Sequence, residues 1–337
     1  MSSRISIYDK SGQWLTEVNA TFNRVYKLNE FGMGTFTLST DDDKCREDYL
    51  QFGNYIYAEH DKLPSWGGMI DTPRQWGHGK VTITAYSGEY ILTTRITKRN
   101  TTLSGQWGTI FQELIETTID APNLNIIKIG SIFGGGKSTK QNYRFESLYE
   151  ASKKLAKESG QDFDILPVID DNGRLFFEAN WYERKGMQKT FTLYEDHNIE
   201  LSERLLVEQG RIANQLRVHG EGATQDTKPN QRVTDIESIG KYGARYLFLN
   251  ARGDDVEASA DSLLIEYANP RKTYDINAID KGDTFYHCRV GDILPVSCYS
   301  VGFSGSGFGT AADVRILQMN YNDEKNTLKL VADEVRE

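Results

Sequence analysis

The sequence predicts a mainly β protein with an α+β insert, in the order barrel, insert, barrel. Three observations predict it. Tyr and Phe are abundant, at 18 and 15 of 337 residues, while Pro is scarce at 7. Aromatic side chains fit half-buried pleated surfaces, so this composition leans towards sheet. Short stretches near both ends of the chain alternate apolar and polar residues, the period of a strand with one buried face. Helical spacing is confined to two stretches in the middle and one near residue 260.

Residues 1–98 read as short strands separated by glycine-rich breaks. In Lys80-Val81-Thr82-Ile83-Thr84-Ala85-Tyr86, Val81, Ile83 and Ala85 share one face and the threonines the other. Gly34–Leu38 and Asn54–Ala58 alternate in the same way. Breaks fall at Gly32-Met33-Gly34, Gly67-Gly68 and Gly77-His78-Gly79. Several strands at short spacing predict a closed or nearly closed barrel over 1–99. Ser104 then caps a predicted helix with the stripe Trp107, Ile110, Phe111, Leu114 and Ile115. A second helix carries Phe145, Leu148, Ser152, Leu155 and Ala156 and ends at Gly160, where a C-terminal cap belongs. Asp164–Ile169 and Arg174–Ala179 flank Asp171-Asn172-Gly173, a strong hairpin signal. The α+β insert therefore spans 100–186.

The strand pattern returns over 187–337, read as a second β-barrel domain with one inserted helix. Thr190–Tyr194 and Arg211–His219 read as strands, the latter with Ile212, Leu216 and Val218 on one face. The helix has the stripe Val256, Ala260, Leu263, Leu264 and Tyr267, and Asn269-Pro270 stops it. Further strands are predicted at 272–278, 284–290, 293–300, 312–321 and 327–333. Gly302–Gly309 reads as a flexible loop.

Composition excludes some functions. Lys and Arg total 39 against 48 Asp and Glu, a net charge of −9. That argues against gripping nucleic acid by phosphate neutralisation, which needs a basic face. No apolar run approaches the roughly 18 residues that cross a bilayer. The N-terminus has no apolar signal core and alternates from its first residues, so synthesis in the cytoplasm is expected. Cys45, Cys288 and Cys298 are odd in number and widely spaced, which is not a disulfide framework.

Candidate chemistry is thin. Ser131–Ser138 carries Gly134-Gly135-Gly136-Lys137-Ser138 and invites comparison with a phosphate-cradling loop. There the first glycine must stand at a fixed offset, and a helix N-terminus must face the phosphate. Here Ser131 stands where that glycine belongs, and the next helical pattern begins only near Tyr143. The stretch reads as a loop. Asp41-Asp42-Asp43 has the wrong spacing for a calcium loop and reads as a solvated turn. The five histidines are scattered, and His287 and Cys288 fall on opposite faces of a strand. No nucleophile elbow is present. No catalytic residue, metal ligand or cofactor is expected. Trp107 opens a helical stripe and reads as core. Trp66 and Trp76 lie beside glycines in turns, where core and rim are equally good readings.

The ordered set of segments resembles the tail-tip (baseplate) hub proteins of tailed bacteriophages, including the N-terminal hub part of siphophage tail-associated proteins. Four segments carry the likeness. The first is Trp66-Gly67-Gly68-Met69-Ile70-Asp71 with the following Val81–Tyr86. The second is the helical insert with its Asp-Asn-Gly hairpin. The third is Arg211–Gly220, with Asn214 at the entry to the second barrel. The fourth is Val290-Gly291-Asp292-Ile293-Leu294-Pro295-Val296, followed by Ala312–Leu317 and Asn326–Leu330.

The resemblance implies two tube-type β-barrels and an insert, assembled as a homotrimer. Three copies of two barrels form a pseudo-sixfold ring that joins a hexameric tail tube to a threefold tip. The implied partners are tail-tube and distal-tail proteins, the tape-measure protein and a central fibre or spike protein. DNA passes through the channel without specific binding. The implied location is the virion tail tip, with no membrane insertion and no enzymatic activity. The chain ends at Glu337, just after the last barrel strand, so wall digestion or receptor binding is expected of another polypeptide. Trp66, Trp76, Phe303 and Phe308 are the candidate partner-contact residues. Two alternatives remain at this stage: a carbohydrate- or receptor-binding tail module using the loops at 64–78 and 302–309, and a tail-associated hydrolase.

Overall fold

A computed structural model of the protein describes residues 3–98, 101–118, 126–200, 205–219, 230–250, 256–281, 283–304 and 307–335. The first half forms β1 (Ser3–Tyr8), β2 (Trp14–Ala20), β3 (Phe22–Lys27), β4 (Met33–Ser39), β5 (Tyr55–Ala58), β6 (Trp66–Gly77) and β7 (Lys80–Ser87). They pair antiparallel in the order β3-β4-β7-β6-β5-β1-β2. Period-two burial does what the sequence predicts: Ile5, Ile7, Val18, Phe22, Phe36, Val81, Ile83 and Ala85 form one apolar core. A 3-10 helix at Gly88–Thr94 leads out of the sheet.

The insert holds β8 (Thr101–Gln106), α1 (Trp107–Thr118), β9 (Ile127–Ile132), β10 (Ser138–Tyr143), α2 (Leu148–Ser159), β11 (Asp162–Ile169) and β12 (Leu175–Tyr182). α1 buries Ile110, Phe111, Leu114 and Ile115, and α2 buries Leu148, Ser152, Leu155 and Ala156. Trp107 is half-buried against the same core. Gly160 caps α2 at φ 69°, a left-handed conformation that a Cβ disfavours. Two sequence expectations fail locally. Ser104 does not cap a helix, because it lies in β8 paired to Lys140. Phe145 stands before α2 and is exposed.

The second half begins with three short strands, β13 (Leu193–Tyr194), β14 (Ile199–Glu200) and β15 (Leu206–Gln209). A separate small unit follows: β16 (Gln215–His219), β17 (Asn230–Thr234), α3 (Ile236–Tyr242), β18 (Tyr246–Asn250) and α4 (Val256–Tyr267). Its strands form their own sheet, β17-β16-β18. The predicted strand at Arg211–His219 therefore starts at Gln215 and joins this small sheet rather than the large one; Gly220 lies outside the described residues.

The chain returns to the large sheet through β19 (Arg271–Ala278), then α5 (Thr284–His287), β20 (Ile293–Ser304), β21 (Gly307–Asn322) and β22 (Thr327–Glu334). The strand expected at 284–290 is instead a helical turn. The Tyr286 backbone N–H donates to the Asp283 carbonyl at 2.9 Å and the Thr284 hydroxyl donates to the Lys281 carbonyl at 2.5 Å, and Phe285 is buried. The loop expected at Gly302–Gly309 is largely the end of the β20–β21 hairpin, with Phe303 paired to Phe308.

The two halves are not separate sheets. β21 pairs antiparallel with β3, with Gln318 opposite Lys27, Met319 opposite Tyr26, Asn320 opposite Val25 and Tyr321 opposite Arg24. This seam joins both halves into one fourteen-stranded sheet. Each half keeps its own apolar core, and Tyr26 packs against both.

Candidate assembly surfaces

The insert is clamped to both halves by one carboxylate. Asp162 on β11 accepts from Asn29 Nδ2 at 2.8 Å, from the Lys185 backbone N–H at 2.8 Å, and from the Arg315 guanidinium of β21. Arg315 Nη2 also donates to the Lys185 carbonyl at 3.1 Å. Asn29 Oδ1 accepts from the Phe163 N–H at 2.8 Å, so Asn29 grips β11 with both ends of its amide. Next to it, Lys185 Nζ lies 2.6 Å from the buried Asp164 carboxylate. Gly186 and Gly291 meet there at φ 91° and 92°. A Cβ on Gly186 would lie 2.1 Å from the Gly291 carbonyl carbon. That close approach explains the Val290-Gly291-Asp292 segment physically.

A cavity of about 310 Å³ sits at this three-way junction, lined by Tyr26, Trp66, Pro167, Lys185, Arg289 and Met319 among others. Glu89 also lines it and is only 7% exposed. Burial pushes its carboxyl up to about 7, against the opposing pull of the Ser87 hydroxyl and the Lys185 charge.

The seam itself encloses a cation. Arg24 is fully buried, and its guanidinium lies between the rings of Phe22 and Tyr321, 5.4 and 5.2 Å from their centroids. None of its side-chain nitrogens has a hydrogen-bond partner. Around it, Tyr321 Oη and His60 Nε2 are 3.1 Å apart. Asp323 accepts from Ser3 Oγ at 2.8 Å and from the Phe22 N–H at 3.0 Å, tying the chain's two ends together.

The predicted partner-contact residues divide. Trp66 is 2% exposed: it packs edge-to-face on Phe22 at 5.2 Å and donates from Nε1 to the Val25 carbonyl at 3.0 Å. It belongs to the core, so the surface reading of Trp66 is corrected. Trp76 is 66% exposed. It pairs with Val81, next to the Gly77–Lys80 hairpin turn, beyond the reach of the core. The Phe303 and Phe308 side chains lie outside the described residues. Sequence reading missed a second exposed aromatic pair, Tyr246 and Phe248 on β18. Its signal was present: Tyr246–Leu249 is apolar on both faces of the strand, although only one face is buried.

The tempting motifs resolve into ordinary structure. Ser131–Ser138 links β9 to β10, and Asp42 Oδ1 accepts from the Lys44 N–H within a turn. Among the described residues no group of three His, Cys, Asp or Glu is placed to hold a metal ion, and no helix is long and apolar enough to cross a membrane. Cys288 and Cys298 are free and buried, and burial raises their thiols to about 12 and about 11.

No family model matches the sequence, and no curated protein matches it. Solved structures do match in fold. The prophage tail protein gp18 from Listeria monocytogenes EGD-e is similar over 99% of this chain and 95% of its own, at 12% identity and a TM-score of 0.64. The 43 kDa tail protein of prophage MuSo2 from Shewanella oneidensis is similar over 99% and 98%, at 13% identity and 0.62. A tail protein from Neisseria meningitidis MC58 is similar over 99% and 97%, at 12% identity and 0.60. The chain thus has the fold of prophage tail proteins across nearly its whole length. The likeness read from the ordered sequence segments and the likeness in fold are both to phage tail proteins.

Proposed function

We propose that this chain is a structural subunit of a phage tail tip, a hub with no catalytic role. Three copies form a pseudo-sixfold ring in which each of the two β halves acts as a tube-type barrel. The ring joins a hexameric tail tube and distal-tail proteins on one side to a threefold fibre or spike on the other. It encloses a channel for the tape-measure protein and for DNA, which passes without specific binding. The observation that carries this reading is the fold likeness to three tail proteins over 99% of the chain. The β3–β21 seam supports it, because a rigid join keeps the two halves of each copy side by side. Closing each half and ringing it with neighbours also removes exposed strand edges. The −9 net charge fits a channel wall that repels DNA; a structure with a basic lumen would contradict that part.

Light scattering of the purified chain tests the reading, followed by electron-microscopic class averages. A mass of three chains with a central hole is the expected result. A monomer that stays monomeric in the presence of tail-tube protein overturns it. Binding of the isolated chain to host glycans, lost on Trp76→Ala, would favour a receptor-binding module instead.

A further inference from the structure

Among the described residues, α4 covers one face of the small β17-β16-β18 sheet; on the other face His219 is buried beside the Phe248 ring, 4.7 Å away. Leu216, Val218, Val233, Leu247 and Leu249 point towards α4 and form a core with Val256, Ala260, Leu263 and Tyr267. The other face carries the alternate residues of the three strands, nine register positions in all. None of the nine is Asp, Glu or Lys. Tyr246 and Phe248 stand on it 67% and 53% exposed. Arg217 and Arg232 are exposed and directly opposite each other across the antiparallel pair. Like charges in that position repel.

The opposite side of the same unit has the complementary character. α4 contains Glu257, Asp261 and Glu266 and no basic residue. Glu257, Asp261 and Ile265 recur at i, i+4 and i+8 and are all exposed, away from the buried stripe. Carboxylates at i and i+4 also repel. The two faces thus carry matched pairs of like charge, each about 5–6 Å apart by strand and helix geometry.

We infer that this unit mediates head-to-tail contact between copies of the chain, with α4 of one copy lying on the open sheet face of the next. The contact turns a half-covered sheet into one with helices on both faces, the arrangement that buries a sheet fully. It sets Glu257 and Asp261 against Arg217 and Arg232, with Ile265 against Tyr246 and Phe248. Arg and aromatics without Lys or acids is the composition of the centre of a protein interface. A head-to-tail contact is heterologous and makes a closed ring when its rotation closes. The inference deepens the ring proposed above and rests on it for the number three.

The test is mass by light scattering on the full chain. Arg217→Glu/Arg232→Glu and Glu257→Arg/Asp261→Arg should each reduce the mass from three chains to one, with the far-UV circular dichroism of wild type and a melting temperature that no longer rises with concentration. The variant carrying all four substitutions should regain three, because the charges are exchanged rather than removed. A trimeric Arg217→Glu/Arg232→Glu protein overturns this inference and leaves the ring standing. A wild type that stays monomeric in the presence of tail-tube protein overturns both. Binding of a fluorescent oligo-dT strand by wild type, lost in Arg217→Glu/Arg232→Glu, would also overturn it, because the face would then be a nucleic-acid platform.

Discussion

The guanidinium of Arg24 stacks on the ring of Tyr321, its register partner across the seam, at 5.2 Å and without a hydrogen bond from any of its nitrogens. Cation–π contact with a desolvated ring is worth about 2 kcal/mol. Burying an ion without a charged partner costs several kcal/mol. The second effect wins. Arg24→Met should leave the urea midpoint unchanged or raise stability by about 1–2 kcal/mol, because the thioether fills the slot and keeps the ring contacts. Arg24→Ala should lower it by about 2–4 kcal/mol through the space it opens. Equal losses in both variants would mean that the charge, rather than the volume, holds the seam.

Asp162 is the point where three parts of the chain meet. Asp162→Asn removes the charge facing Arg315 and one of the acceptor positions used by Asn29 and the Lys185 N–H. Both ionic partners are largely buried. The expected loss is about 2–4 kcal/mol by chemical denaturation. In Asp162→Asn/Arg315→Met the buried cation goes as well, so this double variant should recover part of the loss. A double variant less stable than Asp162→Asn would contradict the clamp.

Glu89 predicts a pH dependence with a definite sign. Its folded carboxyl titrates near 7, above the ordinary 4.5, mainly because burial disfavours the charge. The folded protein therefore holds this proton more tightly than the unfolded chain does. The contribution is fully present below about pH 4.5 and is lost as pH rises through 7. At about 1.4 kcal/mol per unit, the loss is of order 3 kcal/mol. Glu89→Gln should flatten the fall in melting temperature between pH 5 and 8 and exceed wild type at pH 8. The same slope in both proteins would rule out Glu89 as its source.

The two tryptophans beside glycines should respond oppositely. Trp66→Ala should cost about 3–5 kcal/mol, since the ring fills the first core. Trp76→Ala should change stability by no more than about 0.5 kcal/mol. Thermal melts of the two variants decide it, and a large loss for Trp76→Ala would place it in the core after all.

Local pattern made much of this legible. Alternation in 80–86, the stripes of α1 and α2, the left-handed Gly160 and the 170–173 turn are all short-range effects, written in neighbouring residues. What depends on distant partners was not. Trp66 and Trp76 are each followed by a glycine and lie on the same face of β6, and their depth along the strand separates them. Thr284-Phe285-Tyr286-His287 has the composition of a strand and forms a helical turn after Asp283, whose φ of 59° redirects the chain. Which sheet the strands at 215–219, 230–234 and 246–250 join depends on their mutual pairing, which no local pattern reveals. The sequence left core and rim open for both Trp66 and Trp76; the β18 face carried a signal in its two-sided apolar run, whereas Asp162 with Arg315 and Arg24 with Tyr321 carried none.

The β3–β21 seam also sets an order of events during synthesis. Residues 24–27 leave the ribosome long before their hydrogen-bonding partners at 318–321 are made. Until then the β3 edge of the nascent first half has no mate, and an unpaired strand edge invites pairing with other chains. Arg24 keeps its hydration during that interval and loses it only when Tyr321 arrives, which keeps a charge on the waiting edge. Emergence of residues 318–321 is therefore the step at which this polypeptide covers its own β3 edge and stops offering it to other chains.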